Sequence, residues 1–124
     1  DPKIRYYSGT ANYTTSFIFN GKNEDNIYLD LGNVMVMAIV KLNGKEIGGI
    51  WTAPYSLDIS KYLKQGNNLL EISVVNNWKN CIIGDLLLPK NKRTTWLSVN
   101  PWKVDSPLQS SGLLGPVRIL SCQY

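Results

Sequence analysis

The twelve residues "VKLNGKEIGGIW", Val40 to Trp51, decide the reading of the fold. At their centre Asn43 and Gly44 form an Asn-Gly pair, which readily takes the positive φ values of a type I′ turn, so a tight antiparallel hairpin is expected. The arm before the turn belongs to "VMVMAIVKL", Val34 to Leu42. It is apolar on both faces, as suits a central strand covered on each side. The arm after it, "EIGGIW", returns antiparallel.

Working outward, the same period of two recurs. In "NYTTSFIFN", Tyr13, Thr15, Phe17 and Phe19 share one face, while Asn12, Thr14 and Ser16 take the other. "NIYLDLG" turns Ile27, Leu29 and Leu31 inward, and "NLLEISVVN" does the same with Leu70, Ile72 and Val74. "APYSLDIS" supplies a short strand, and "DISKYLKQGNN" reads as one helical turn capped by Asp58 or Ser60 and ended by Gly66. "GPVRILS" is the last strand, with Val117 and Ile119 on one face. Between Asn77 and Ser111 the periodicity fades. "IIGDLLL" and "WLSV" are expected to be brief strands and the remainder loop, with prolines at 89, 101 and 107. So long an irregular stretch is uncommon in a compact domain unless it has work to do. Short antiparallel strands with turn signals and almost no helix indicate an all-β sandwich.

Length and composition narrow the function. A chain of 124 residues fits one domain, residues 1–124, since single cores usually span about 100–200 residues. Apolar residues at 44% against charged residues at 18% can build a core and are too apolar for a disordered chain. Thirteen Lys/Arg against nine Asp/Glu leave a net charge of +4. The one basic cluster, Lys90, Lys92 and Arg93 in "KNKR", lacks interleaved aromatics and reads as a solvated loop, so no nucleic-acid partner is expected. No apolar run reaches the roughly 18 residues of a membrane span. "DPKIRYYSG" is not a signal peptide and no initiator methionine is present, so a processed protein or a piece of a longer one is expected. Cys81 and Cys122 are too few for a disulfide framework or a zinc site; they form one bridge or serve as two small apolar thiols. Histidine is absent. That removes Ser-His-Asp and Cys-His catalysis and most transition-metal sites.

Several segments carry a family likeness. "RYYSGTANYTTSFIF" resembles the opening of the sugar-binding jelly-roll domain of glycoside hydrolase family 2 and its relatives. "YLDLGNVMVMAIVKLNGKEIGGIWTAPYSLDISKYLKQGNNLLEISVVNNW" continues that pattern, and "SGLLGPVRIL" looks like its closing strand. "GGIWTAPY", "NNWKNCIIGD" and "SSGLLGPV" together are similar to the carboxy-terminal domain of bacterial enzymes related to glycoside hydrolase family 106, the α-L-rhamnosidases. The likeness covers nearly the whole chain. It departs at Cys81, where a basic residue is expected, so any contact made by that residue would be missing. The resemblance implies a galactose-binding-like jelly roll of about eight antiparallel strands in two sheets. It also implies a bacterial parent enzyme, exported to the periplasm or cell surface, that cuts polysaccharide with carboxylates on a separate (β/α)8 barrel. This domain would be a non-catalytic accessory that docks on the barrel, binds carbohydrate, or does both. An independent carbohydrate-binding module and an autonomous glycosidase are the alternatives. Structural calcium is common in such domains, which makes Glu24 and Asp25 in "NGKNEDN" candidate ligands beside the simpler reading of a polar turn.

Could the residues do chemistry alone? A glycosidase needs two carboxyl groups facing one sugar. Asp30, Glu46 and Glu71 read as surface charges and Asp58 as a cap, which leaves Asp85 and Asp105 in the irregular region. Asp85 has a structural alternative, accepting backbone N–H bonds to hold a turn. No catalytic residue is therefore assigned. Tryptophans are better candidates, because a flat indole can stack on the C–H face of a sugar while amides and carboxylates bind its hydroxyls. Trp51, Trp78 and Trp102 fall at strand ends or loops that could share a rim, with Asn77 and Asp105 as polar partners. Each indole could equally plug the end of the core or face a neighbouring domain. Trp96, inside "WLSV", reads as core, and Trp102 as the most exposed of the four. Asn76, Asn77 and Asn80 bind hydroxyls or close turns. In family 2 relatives the loop before the closing strand leans toward the barrel, so by that likeness "NPWKVDSPLQ", with Trp102 and Asp105, would meet substrate held elsewhere.

Overall fold

The expected turn forms: Asn43 and Gly44 take φ of 54° and 81° in the computed structural model, which describes residues 5–22, 26–35, 37–76, 78–96, 98–99, 101–110 and 112–122. The hairpin joins β4 (Met37–Leu42) to β5 (Lys45–Ile50). Among the described residues there are nine strands. The others are β1 (Thr10–Phe19), β2 (Asn26–Asp30), β3 (Asn33–Met35), β6 (Ser56–Asp58), β7 (Gly66–Val75), β8 (Gly112–Gly115) and β9 (Arg118–Cys122). One sheet runs β1-β7-β4-β5; facing it are a sheet β6-β2-β9 and a pair β3-β8. All pairings between strands are antiparallel.

The core lies where alternation places it. Ile27, Leu29 and Leu31 meet Ala38, Val40 and Leu42 and the inward set Leu70, Ile72 and Val74, all buried. Burying a Val, Leu or Ile side chain is worth about 1.5–3 kcal/mol, so these positions, all but Ala38 of that size, are the main reason the layers stay together. Asn68, fully buried, ties the hairpin to the turn before β7. Its Oδ1 accepts from Lys64 N at 2.8 Å and from Asn43 Nδ2 at 2.9 Å, while its Nδ2 donates to Lys64 O at 2.8 Å and Gly66 O at 3.1 Å. Every hydrogen-bonding position of the amide is matched.

Three expectations change. "VMVMAIVKL" is not one strand: β3 pairs with β8 in the second layer and β4 sits between β7 and β5 in the first. The chain crosses between layers there, so its two-sided apolarity reflects two strands in different layers. "DISKYLKQGNN" makes a turn rather than a capped helix, with Tyr62 N bonded to Ile59 O and Asp58 Oδ1 accepting from Ser60 N at 2.9 Å. "IIGDLLL" is not a strand but part of helix α1 (Lys79–Leu86). A short apolar run does not distinguish the two by pattern. What favours the helix is tertiary: Ile82 and Ile83 are buried, and Gly84 lies against Tyr6, where a Cβ would come within 2.5 Å of the ring.

Candidate functional site

Register brings two of the candidate tryptophans to one rim. Met37 pairs with Val75, and Ala38 pairs with both Val74 and Ile50. The ends of β5 and β7 therefore flank the start of β4, about 10 Å apart at two strand spacings. Trp51 follows β5 and Trp78 follows β7, and they are 66% and 65% exposed, so neither plugs the core. The Trp51 ring folds back over Gly49, 3.9 Å from where a Cβ would stand there, on the side of the sheet away from Ile50. With no side chain on Gly49, one indole face has room to lie flat.

Asn76 and Asn80 fasten this rim. Asn76 N donates to Gly9 O at 3.0 Å, which joins the end of β7 to the segment leading into β1. The Asn80 amide forms a matched pair with Gln109, donating from Nδ2 to its carbonyl at 2.7 Å and accepting from its N–H at 2.8 Å. The second half of the irregular region is thus held against the first turn of α1. Asn77 lies outside the described residues, as do Glu24 and Asp25. Trp102 is half-buried rather than the most exposed indole. Asp105 is exposed in a turn closed by Ser106 Oγ, which accepts from Lys103 N at 2.8 Å.

Asp85 does the structural work the sequence allowed for it. It is buried, and its Oδ2 accepts from Thr94 N at 2.8 Å, Thr95 N at 2.6 Å and Thr95 Oγ1 at 2.6 Å. Burial pushes the carboxyl up, but the bonds from Thr95 and Thr94 together outweigh it and hold it below the usual carboxylate range. Such a group stays ionised and internally engaged, which does not suit a general acid. Trp96 follows directly. It was expected in the core and is instead 84% exposed, because Asp85 holds the backbone before it outside any sheet. The Cys81 thiol, on the same helix, is pushed up by burial and by the Asp85 charge. Both cysteines are free thiols. Among the described residues no group of three His, Cys, Asp or Glu side chains is placed to hold a metal ion, and no helix is long and apolar enough to cross a membrane.

A second feature is an open seam at the β1 edge. A groove of about 440 Å³ is lined by Tyr13, Thr15, Leu70, Ile72, Leu113 and Val117, among others. Among the described residues β1 is paired only with β7 and β9 only with β2. Ile119 and Leu120 of β9 are exposed. Apolar side chains along an unpaired edge commonly mark a surface that another segment covers.

Known proteins share this architecture. A rhamnosidase from Novosphingobium sp. PP1Y superposes with a TM-score of 0.87 at 42% identity, over 96% of this chain and 11% of that one. A protein of Formosa agariphila provisionally named a beta-glucuronidase is 39% identical over 142 residues, covering 94% of this chain and 12% of that protein. The Ruminococcus gnavus beta-glucuronidase matches 61% of this chain and 13% of its own, at 29% identity and a TM-score of 0.54. The chain thus spans a small fraction of each. Residues 3–83 match the family model for the glycosyl hydrolase 2 galactose-binding domain-like fold, and the chain belongs to that family.

Proposed function

We propose that this chain is a non-catalytic accessory β-sandwich domain of a larger, exported bacterial glycoside hydrolase, docked on that enzyme's catalytic domain. The observation that carries the proposal is the match to the Novosphingobium rhamnosidase: nearly the whole chain aligns, yet it accounts for 11% of that protein. Its own residues agree with a supporting role. Asp85 is committed to Thr94 and Thr95, and the exposed surface carries apolar and aromatic groups at the Trp51–Trp78 rim, at the groove along β1 and on β9. These are the features of an inter-domain contact, where a buried aromatic anchors and the surrounding contacts exclude water.

The test has two parts. The 124-residue chain should not hydrolyse aryl glycosides. In the parent enzyme, Trp51→Ala with Trp78→Ala should lower the midpoint of thermal inactivation while leaving the melting of the isolated domain within about 0.5 kcal/mol, as exposed substitutions do. Turnover by the isolated chain would defeat the proposal, as would a parent enzyme indifferent to both changes. Exposure of Trp51 over Gly49 also favours a second reading, direct stacking on polysaccharide. Fluorescence titration of the chain with neutral glycans distinguishes it, since stacking moves the indole emission and docking alone does not.

A further inference from the structure

We propose that the groove between α1 and Trp96 binds an anionic sugar residue, bearing either a uronic acid carboxylate or a sulfate ester. The indole would stack on the sugar ring while Lys90 and Arg93 face the anion. The groove's lining includes neither Trp51 nor Trp78. In sequence the basic "KNKR" segment has no aromatic partner, but the fold supplies one. Lys90, Arg93 and Trp96 line a single cavity of about 440 Å³, floored by Ile82 and Leu86, within the roughly 300–1,000 Å³ of small-ligand sites.

Three properties of this groove converge on such a ligand. Trp96 presents most of its ring to solvent, yet the two residues before it are pinned by Asp85. A stacking surface on a fixed mount loses little freedom on binding. Arg93 is oriented as well: Nε donates to Leu88 O at 3.1 Å and one terminal nitrogen to Leu86 O at 3.5 Å, leaving the other terminal nitrogen for an oxyanion. Finally, the lining carries a surplus of positive charge. Among its described residues Asp85 is the only acid against Lys90 and Arg93, its carboxylate is turned to the two threonines, and no described residue pairs with the Lys90 ammonium. A net cationic groove beside an aromatic platform suits a negatively charged saccharide better than a neutral one.

The test is calorimetric and fluorescence titration of the 124-residue chain with three saccharides of equal length: an oligogalacturonide, a sulfated galacto-oligosaccharide and a neutral galacto-oligosaccharide. At least one anionic sugar should bind about tenfold or more tightly than the neutral one, and its affinity should fall as salt is raised. Whichever anionic sugar binds identifies the group. Trp96→Ala and Lys90→Gln, both at exposed positions, should each weaken binding about tenfold, with unchanged melting confirming that the fold is intact. Equal affinity for the neutral sugar, no binding up to about 10 mM, or full affinity in Trp96→Ala would each overturn the proposal.

Discussion

Replacing Asp85 tests how the irregular region is held. Four donors converge on this carboxylate: Thr94 N, Thr95 N, Thr95 Oγ1 and, more weakly, Thr94 Oγ1 at 3.2 Å. Bonds to a charged acceptor contribute about 1.5–3 kcal/mol each. Thr94 is exposed and Thr95 half-buried, so water replaces part of what is lost. Counting only the two backbone bonds at the lower value gives about 3 kcal/mol for Asp85→Ala. With an unfolding entropy of about 2.1 cal/mol/K per residue, that corresponds to a drop of about 11 °C in Tm for 124 residues. The pH dependence has a definite sign. Because the folded carboxyl lies below its unfolded value of about 3.9, its contribution is fully present above that pH and is lost as pH falls through the folded value. Asp85→Asn, which keeps the volume but not the charge, should therefore be less stable than the native chain at pH 7 and approach it as pH falls through the folded value. Thermal and urea unfolding followed by circular dichroism measure both effects. A deficit under about 0.5 kcal/mol at pH 7, or one that does not shrink in acid, would refute the assigned role.

Two further changes probe the frame around it. Asn68→Ala should cost about 3 kcal/mol in urea unfolding, because Lys64 N–H and the Lys64 and Gly66 carbonyls lose their partner inside the fold. Asn68→Asp should rescue it poorly, since a carboxylate cannot donate to either carbonyl. Gly84→Ala should be destabilising by about 1–3 kcal/mol despite the better helix propensity of alanine. The added methyl would meet the Tyr6 ring, so Tyr6→Ala combined with Gly84→Ala should recover part of the loss in a double-mutant cycle.

The parts of the fold legible in the sequence are those decided by neighbours along the chain. Alternation in "NIYLDLG" and "NLLEISVVN" placed Ile27, Leu29, Leu31, Leu70, Ile72 and Val74 inward, and all are buried. The Asn43-Gly44 turn needs only its own two residues. What stayed hidden depends on contacts between distant positions. The helix at Lys79–Leu86 rests on Tyr6 packing against Gly84, and the passage of "VMVMAIVKL" from one layer to the other is governed by β8, some eighty residues downstream. Trp96 is more exposed than its sequence suggests and Trp102 less. An apolar run such as "WLSV" looks internal unless one knows that Asp85 has already fixed the chain before it.

That division bears on how such a domain acquires a binding surface. The irregular region carries few ladder bonds of its own and is secured by two side chains of α1: Asn80 to Gln109 at one point, Asp85 to Thr94 and Thr95 at another. Each anchor grips backbone groups, so the residues next to it are free to vary without loosening the attachment. Trp96 and Lys90 sit beside the second anchor, and neither contributes to the core. A sandwich built this way can change what its helix-side groove recognises while its interior stays the same. Binding and stability should accordingly separate: Lys90→Gln and Trp96→Ala alter the first alone, and only Asp85 substitutions alter both.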